Sequence, residues 1–128
     1  YRMPPSSPSH QALDDAFTAY CHLKDSYGAN NIFVVGTSAG GGLALSLLQK
    51  LKKQSIKLPI AAYTGTPWAD LSNNSDSLVI NEGVDRILVS YQGLLKAAAM
   101  LYAGKLRSQT PAFLLCMVSL LGYHPQYW

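Results

Sequence analysis

Ile32-Phe33-Val34-Val35-Gly36-Thr37-Ser38-Ala39-Gly40-Gly41-Gly42-Leu43 carries three signals in succession. Ile32 to Val35 is a continuous β-branched and aromatic run without polar alternation, which predicts a strand covered on both faces, as in a parallel sheet flanked by helices. Gly36 to Gly42 then makes a tight turn. Leu43, Leu47, Leu48 and Leu51 continue at helical spacing. Lys50, Lys52, Lys53 and Lys57 gather at the end of that helix, where positive charge suits the negative end of its dipole.

On the N-terminal side, Pro4, Pro5 and Pro8 among serines resist regular structure, and Ser9 stands at a helix-cap position. Leu13, Ala16, Phe17, Tyr20, Leu23 and Tyr27 recur at three and four residues, one apolar stripe of a helix that Gly28 ends. On the C-terminal side, Ile60 to Thr64 reads as a second strand, introduced by Pro59 and closed by Gly65 and Pro67. Trp68 to Asn81 reads as an irregular polar loop, and Val84 to Tyr102 as a helical stretch stopping near Gly104. Strand, helix, strand in that order implies a parallel crossover and hence an α/β fold.

At 128 residues one domain is the upper limit, and 48% apolar residues suffice for a core. Asp, Glu, Lys and Arg make up only 13%, against about 25% in soluble domains. Small domains have much surface to cover with charge, so this composition predicts a piece of a larger body. A net charge of +3 is too small an excess to point to nucleic acid. Cys21 and Cys116 cannot build a disulfide scaffold and have no metal-ligand spacing with histidine. Phe113 to Leu121, the longest apolar run, is about half the roughly 18 residues a membrane span needs, so none is expected. Tyr1-Arg2-Met3-Pro4-Pro5 is unlike a signal peptide, which makes a cytoplasmic location the default. Asn73-Asn74-Ser75 fits the glycosylation pattern, which matters only in secreted chains.

Gly36-Thr37-Ser38-Ala39-Gly40 is a G-x-S-x-G motif, and geometry gives it meaning. A sharp strand-to-helix bend lifts a serine hydroxyl outward and forces unusual backbone angles on the serine. Gly36 and Gly40 would leave room for backbones passing close by. The helix behind Ser38 would add its positive end and free N–H groups, with the Ala39 N–H the natural donor to a developing oxyanion. The alternatives are a glycine-rich connector and a phosphate cradle. Dinucleotide G-x-G-x-x-G spacing and Walker-type G-K-[ST] are both absent, which disfavours the cradle.

Four blocks carry a resemblance: Tyr1-Arg2-Met3-Pro4-Pro5, Ala12-Leu13-Asp14-Asp15-Ala16, Gly36 through Ala44, and Thr66-Pro67-Trp68-Ala69-Asp70-Leu71. In order and spacing they resemble the α/β-hydrolase esterases of the hormone-sensitive lipase type, in the branch with Gly-Thr-Ser-Ala-Gly. The resemblance implies a partial α/β-hydrolase fold in which Gly36 and Gly40 flank a nucleophile elbow. It implies a serine carboxylesterase forming an acyl-enzyme on Ser38, a small-molecule ester as substrate, and no metal or organic cofactor. Family members take a His-Gly-Gly-Gly oxyanion loop from upstream, and an acid and a histidine from downstream, none recognisable here. Without base and acid the serine forfeits most of its rate enhancement, so the chain alone is expected to be nearly inert.

An internal triad of Ser38, one of Asp70, Asp76 or Asp85, and His124 keeps the required chain order. Structural roles are the simpler reading for Asp70 in its loop, for Asp85 near a helix start, and for His10 and His22 on the first helix. A non-catalytic small-molecule binding module on the same fold is the rival from another class. Residues 1–104 read as the central part of the hydrolase domain. Residues 105–128 read as a divergent apolar tail, the pattern a shifted reading frame produces. Two or three parallel strands leave sheet edges open, so self-association through them is expected.

Overall fold

The computed structural model describes residues 1–3, 5–7, 9–71, 76–87 and 90–103. Helix α1 spans Ser9–Tyr27. It ends as its sequence predicts: Gly28 turns left-handed at φ 80 and donates its N–H to the Lys24 carbonyl at 2.8 Å. The Asn31 side-chain amide covers the Tyr27 carbonyl at 2.7 Å, and a 3₁₀ turn, Ala29–Asn31, leads into the sheet.

Strand β1 is Phe33–Thr37, helix α2 Ala39–Lys53 and strand β2 Ala61–Gly65. The two strands pair in parallel, Phe33 opposite Ala61 through Thr37 opposite Gly65. Gly36 and Thr37, assigned to the turn by sequence, are therefore strand residues, because Thr64 and Gly65 supply them with partners. The bend contracts to Ser38 alone.

Tyr20, Leu47 and Leu51 form the buried core, with Leu13, Phe17, Ile32, Val34 and Ile56 packed around them. Leu51 is fully buried, and removing such a side chain from water contributes about 1.5–3 kcal/mol. The Tyr20 ring is buried as well, and its hydroxyl donates to the Lys57 carbonyl at 2.6 Å, tying α1 to the segment before β2. On the polar flank Lys50 pairs with Asp14 and lies 4.6 Å from the centre of the Phe17 ring.

The expectation that β1 is covered on both faces is corrected. Val34 packs on the core, whereas Phe33 is 58% and Val35 61% exposed. Paired residues of parallel strands point to the same side, so Tyr63, opposite Val35, joins them and is also exposed. Both long helices lie on the Val34 face, and no described element covers the other.

Two further expectations change. The loop after Trp68 contains a short helix, α3, Asp76–Ile80. The helix expected over Val84 to Tyr102 begins later: a wide π turn at Tyr91–Leu95 precedes α4, Lys96–Ala103. Ser90 is extended, and Gly93 departs from helical angles at φ −78 and ψ −120, which breaks the run that the apolar spacing suggested. Upstream, Asp85 Oδ1 accepts the Ile87 N–H at 2.7 Å, so this carboxylate holds a local turn and does not start a helix. Asn73-Asn74-Ser75, Cys116, His124 and the tail 105–128 lie outside the described residues.

Candidate active site

Ser38 sits where β1 ends and α2 begins, exposed, with φ 55 and ψ −121. For a residue with a Cβ this is a sparsely populated region that costs about 1–3 kcal/mol and must be held by its surroundings. Those surroundings are two strand ends and a loop. The Ser38 N–H donates to the Gly65 carbonyl at 2.9 Å, while the Ser38 carbonyl accepts from Gly42 N–H at 3.1 Å and from Trp68 N–H at 2.9 Å. The bonds from Gly65 and Trp68 bracket Thr66, itself at the unusual φ of 38.

The Gly42 N–H to Ser38 carbonyl bond is the first of the helical series, so the amides of Ala39, Gly40 and Gly41 have no acceptor within the helix. Such unsatisfied N–H groups concentrate the positive end of the dipole beside the Ser38 hydroxyl. They can hold an anion or a developing oxyanion.

Two of the elbow glycines behave differently. A Cβ on Gly36 would fall 2.2 Å from the Gly40 carbonyl oxygen, which no neighbouring backbone can accommodate. On Gly40 a Cβ would meet nothing within 4 Å among the described residues. The crowding expected there falls on Gly41, where a Cβ would come within 2.9 Å of both Cα and Cβ of Pro67. Sequence reasoning missed this residue, because the contact comes from a loop distant along the chain.

Beside the bend lies an apolar cavity of about 270 Å³, walled by Ala39 and Leu43 of α2, Trp68 and Leu71 of the loop, Met3 of the N-terminal segment and Leu101 of α4. The N-terminal wall is pinned by Arg2, whose guanidinium and backbone N–H both bond the Asp15 carboxylate on α1. These bonds, the side-chain ones foremost, pull Asp15 down to about 2. On the loop side the Tyr91 hydroxyl donates to the Leu71 carbonyl at 2.7 Å. Burial first, and the nearby Asp70 carboxylate second, push that phenol upward. Asp70 thus lies by the brace of its own loop. Trp68 Nε1 is buried without an acceptor among the described residues.

Of the residues considered for a triad, Asp85 bonds within its own turn and Asp76 opens α3. His22 is exposed on α1. Among the described residues no group of three His, Cys, Asp or Glu could hold a metal ion, and no helix is long and apolar enough to cross a membrane.

A family model described as the alpha/beta hydrolase fold matches residues 1–126. An acetyl-hydrolase of Streptomyces hygroscopicus is 42% identical over 73 residues, 56% of this chain and 24% of that protein. An esterase of Acinetobacter venetianus is 33% identical over 89 residues, 69% of this chain and 29% of that protein. Among solved structures, the esterase E25 superposes with a TM-score of 0.76 at 50% identity, over 80% of this chain and 32% of its own. An esterase from the bacterial hormone-sensitive lipase family gives 0.78 at 29% identity, over 91% and 38%. The chain spans about a quarter of the length of the curated relatives it matches.

Proposed function

The chain belongs to the α/β-hydrolase fold family, and on that footing we propose that it carries the nucleophile segment of a carboxylic ester hydrolase of the hormone-sensitive lipase type. Its Gly-Thr-Ser-Ala-Gly sequence supports the branch with threonine before the serine. The observation that carries the reading is the backbone of Ser38, at φ 55 and ψ −121 between a parallel strand and a helix N-terminus. A costly backbone at an exposed serine, fixed between a strand end and a helix N-terminus, supports a functional role for that side chain.

In this mechanism Ser38 Oγ attacks the carbonyl carbon of a small-molecule ester. The resulting oxyanion accepts the Ala39 N–H, aimed by the start of α2. The ester C–O bond then breaks, the alcohol leaves with a proton, and water later cleaves the acyl group from Ser38. A base must take the Ser38 proton in the first step and return it to the alcohol. The described residues place no such base at Ser38, so this reading draws it, with the acid and the second oxyanion donor, from other parts of the protein. The apolar cavity beside Ala39 receives the hydrocarbon portion of the substrate.

That same cavity supports the second reading, a binding module that holds a small apolar molecule without chemistry. A fluorophosphonate probe separates the two, because it reacts only with an activated serine. We expect the protein carrying this chain to be labelled on Ser38 and Ser38→Ala to abolish the label. An unlabelled wild-type protein, or a label that survives Ser38→Ala, would overturn the esterase reading.

A further inference from the structure

We propose that Gly41, with Pro67, positions the nucleophile: the missing side chain at Gly41 lets the Thr66-Pro67-Trp68 loop close on the first turn of α2, and this closure holds the carbonyl of Ser38. The proposal rests on the reading of Ser38 as nucleophile, and it adds a residue outside the G-x-S-x-G motif.

Three observations converge on it. The added Cβ at Gly41 would lie 2.9 Å from Pro67 Cα and Cβ and 3.3 Å from the Gly36 carbonyl oxygen, so the position is crowded by backbone on two sides. One residue past Pro67, the Trp68 N–H reaches the Ser38 carbonyl at 2.9 Å. One residue before it, Thr66 adopts φ 38, which a β-branched residue avoids unless tertiary contacts impose it. The loop is therefore drawn inward against its own preference. Its grip falls on the carbonyl of the residue whose hydroxyl must be aimed. Gly40, one position earlier and inside the motif, has no such neighbour among the described residues.

The consequence is mechanical. A methyl at position 41 forces Pro67 outward, stretches the Trp68 N–H to Ser38 carbonyl bond, and lets the peptide plane after Ser38 rotate. That plane carries the Ala39 N–H, so hydroxyl and oxyanion donor lose their relative placement together. Misplacement of about 1 Å in a reacting group can lower a rate by about a hundredfold.

The test compares Gly41→Ala with Gly40→Ala, which adds the same methyl to the same helix turn, in the protein carrying this chain. Fluorophosphonate labelling gives two numbers: the fraction of molecules that react, which falls with misfolding, and the rate constant of those that do, which falls with misplacement. Amide hydrogen exchange at Trp68, referenced to a core amide such as Leu51, reads the clamp directly. We expect the Gly41→Ala rate constant to lie at least about tenfold below that of Gly40→Ala, with Trp68 protection lost selectively. Pro67→Gly approaches the same contact without crowding and should loosen the Trp68 amide even if Gly41→Ala does not fold. Equal rate constants for the two alanine variants, or unchanged Trp68 exchange in either loop variant, would overturn the proposal. A wild-type protein that never labels while these variants free the Trp68 amide refutes the nucleophile reading and leaves the clamp standing.

Discussion

Replacing Ser38 by glycine should remove the proposed nucleophilic hydroxyl and stabilise the fold at once. At φ 55 and ψ −121 any residue with a Cβ is strained by about 1–3 kcal/mol. Glycine abolishes that strain, while its greater freedom in the unfolded chain costs about 0.5–1 kcal/mol. The balance is a gain of about 0.5–2 kcal/mol, which raises Tm by roughly 2–8 °C in a domain of this size. Ser38→Ala is the decisive comparison: it deletes the same hydroxyl but keeps the Cβ, and so keeps the strain. Thermal and urea unfolding followed by circular dichroism should rank the glycine variant above the alanine variant, and neither should take up a fluorophosphonate. Coincident midpoints, or an alanine variant more stable than glycine, would mean that the bend stores no strain. Ser38 would then lack the backbone signature on which its proposed role as nucleophile rests.

Two further outcomes are expected. Arg2→Ala should return the Asp15 carboxylate from about 2 toward its ordinary 3.8, read by carboxyl-carbon NMR titration. Because the folded value is the lower one, the stability this pair supplies is complete above 3.8 and is lost as pH falls toward 2; an Asp15 midpoint unmoved by the substitution would refute the pairing. Val35→Lys, on the bare face of the sheet, should reduce self-association of this chain in sedimentation velocity. An unchanged distribution would show that this face does not mediate contact between copies.

How much of this was legible in the sequence depends on how far each signal reaches. Strand, bend and helix from Phe33 to Lys53 are written locally, by a β-branched run, a glycine cluster and a leucine stripe, and the crossover order implied the parallel pairing of Phe33–Thr37 with Ala61–Gly65. Apolar spacing from Val84 onward suggested one continuous helix because side-chain periodicity is blind to a backbone break such as the one at Gly93. Crowding at Gly41 was invisible for a different reason. The motif names Gly36 and Gly40, but the atoms that forbid a side chain come from Pro67, and only folding brings them there. The bare side of β1 follows the same logic, since a run of Ile32-Phe33-Val34-Val35 announces that both sides want cover without saying which part of the chain supplies it. Of the candidate site, Ser38 and Ala39 were proposed from residue type and order, whereas the cavity wall from Met3, Leu71 and Leu101 is assembled from segments far apart in the chain.

The wall that α4 contributes has a consequence of its own. Ala98 and Leu101 face the cavity, and Ala99 between them is buried. On the proposed reading the guest would meet a wall shared between α2, which follows Ser38 directly, and α4, which lies far along the chain. Exchanging Ala98 or Leu101 would then resize the chamber while leaving in place the bonds that Gly42, Gly65 and Trp68 make to the bend at Ser38.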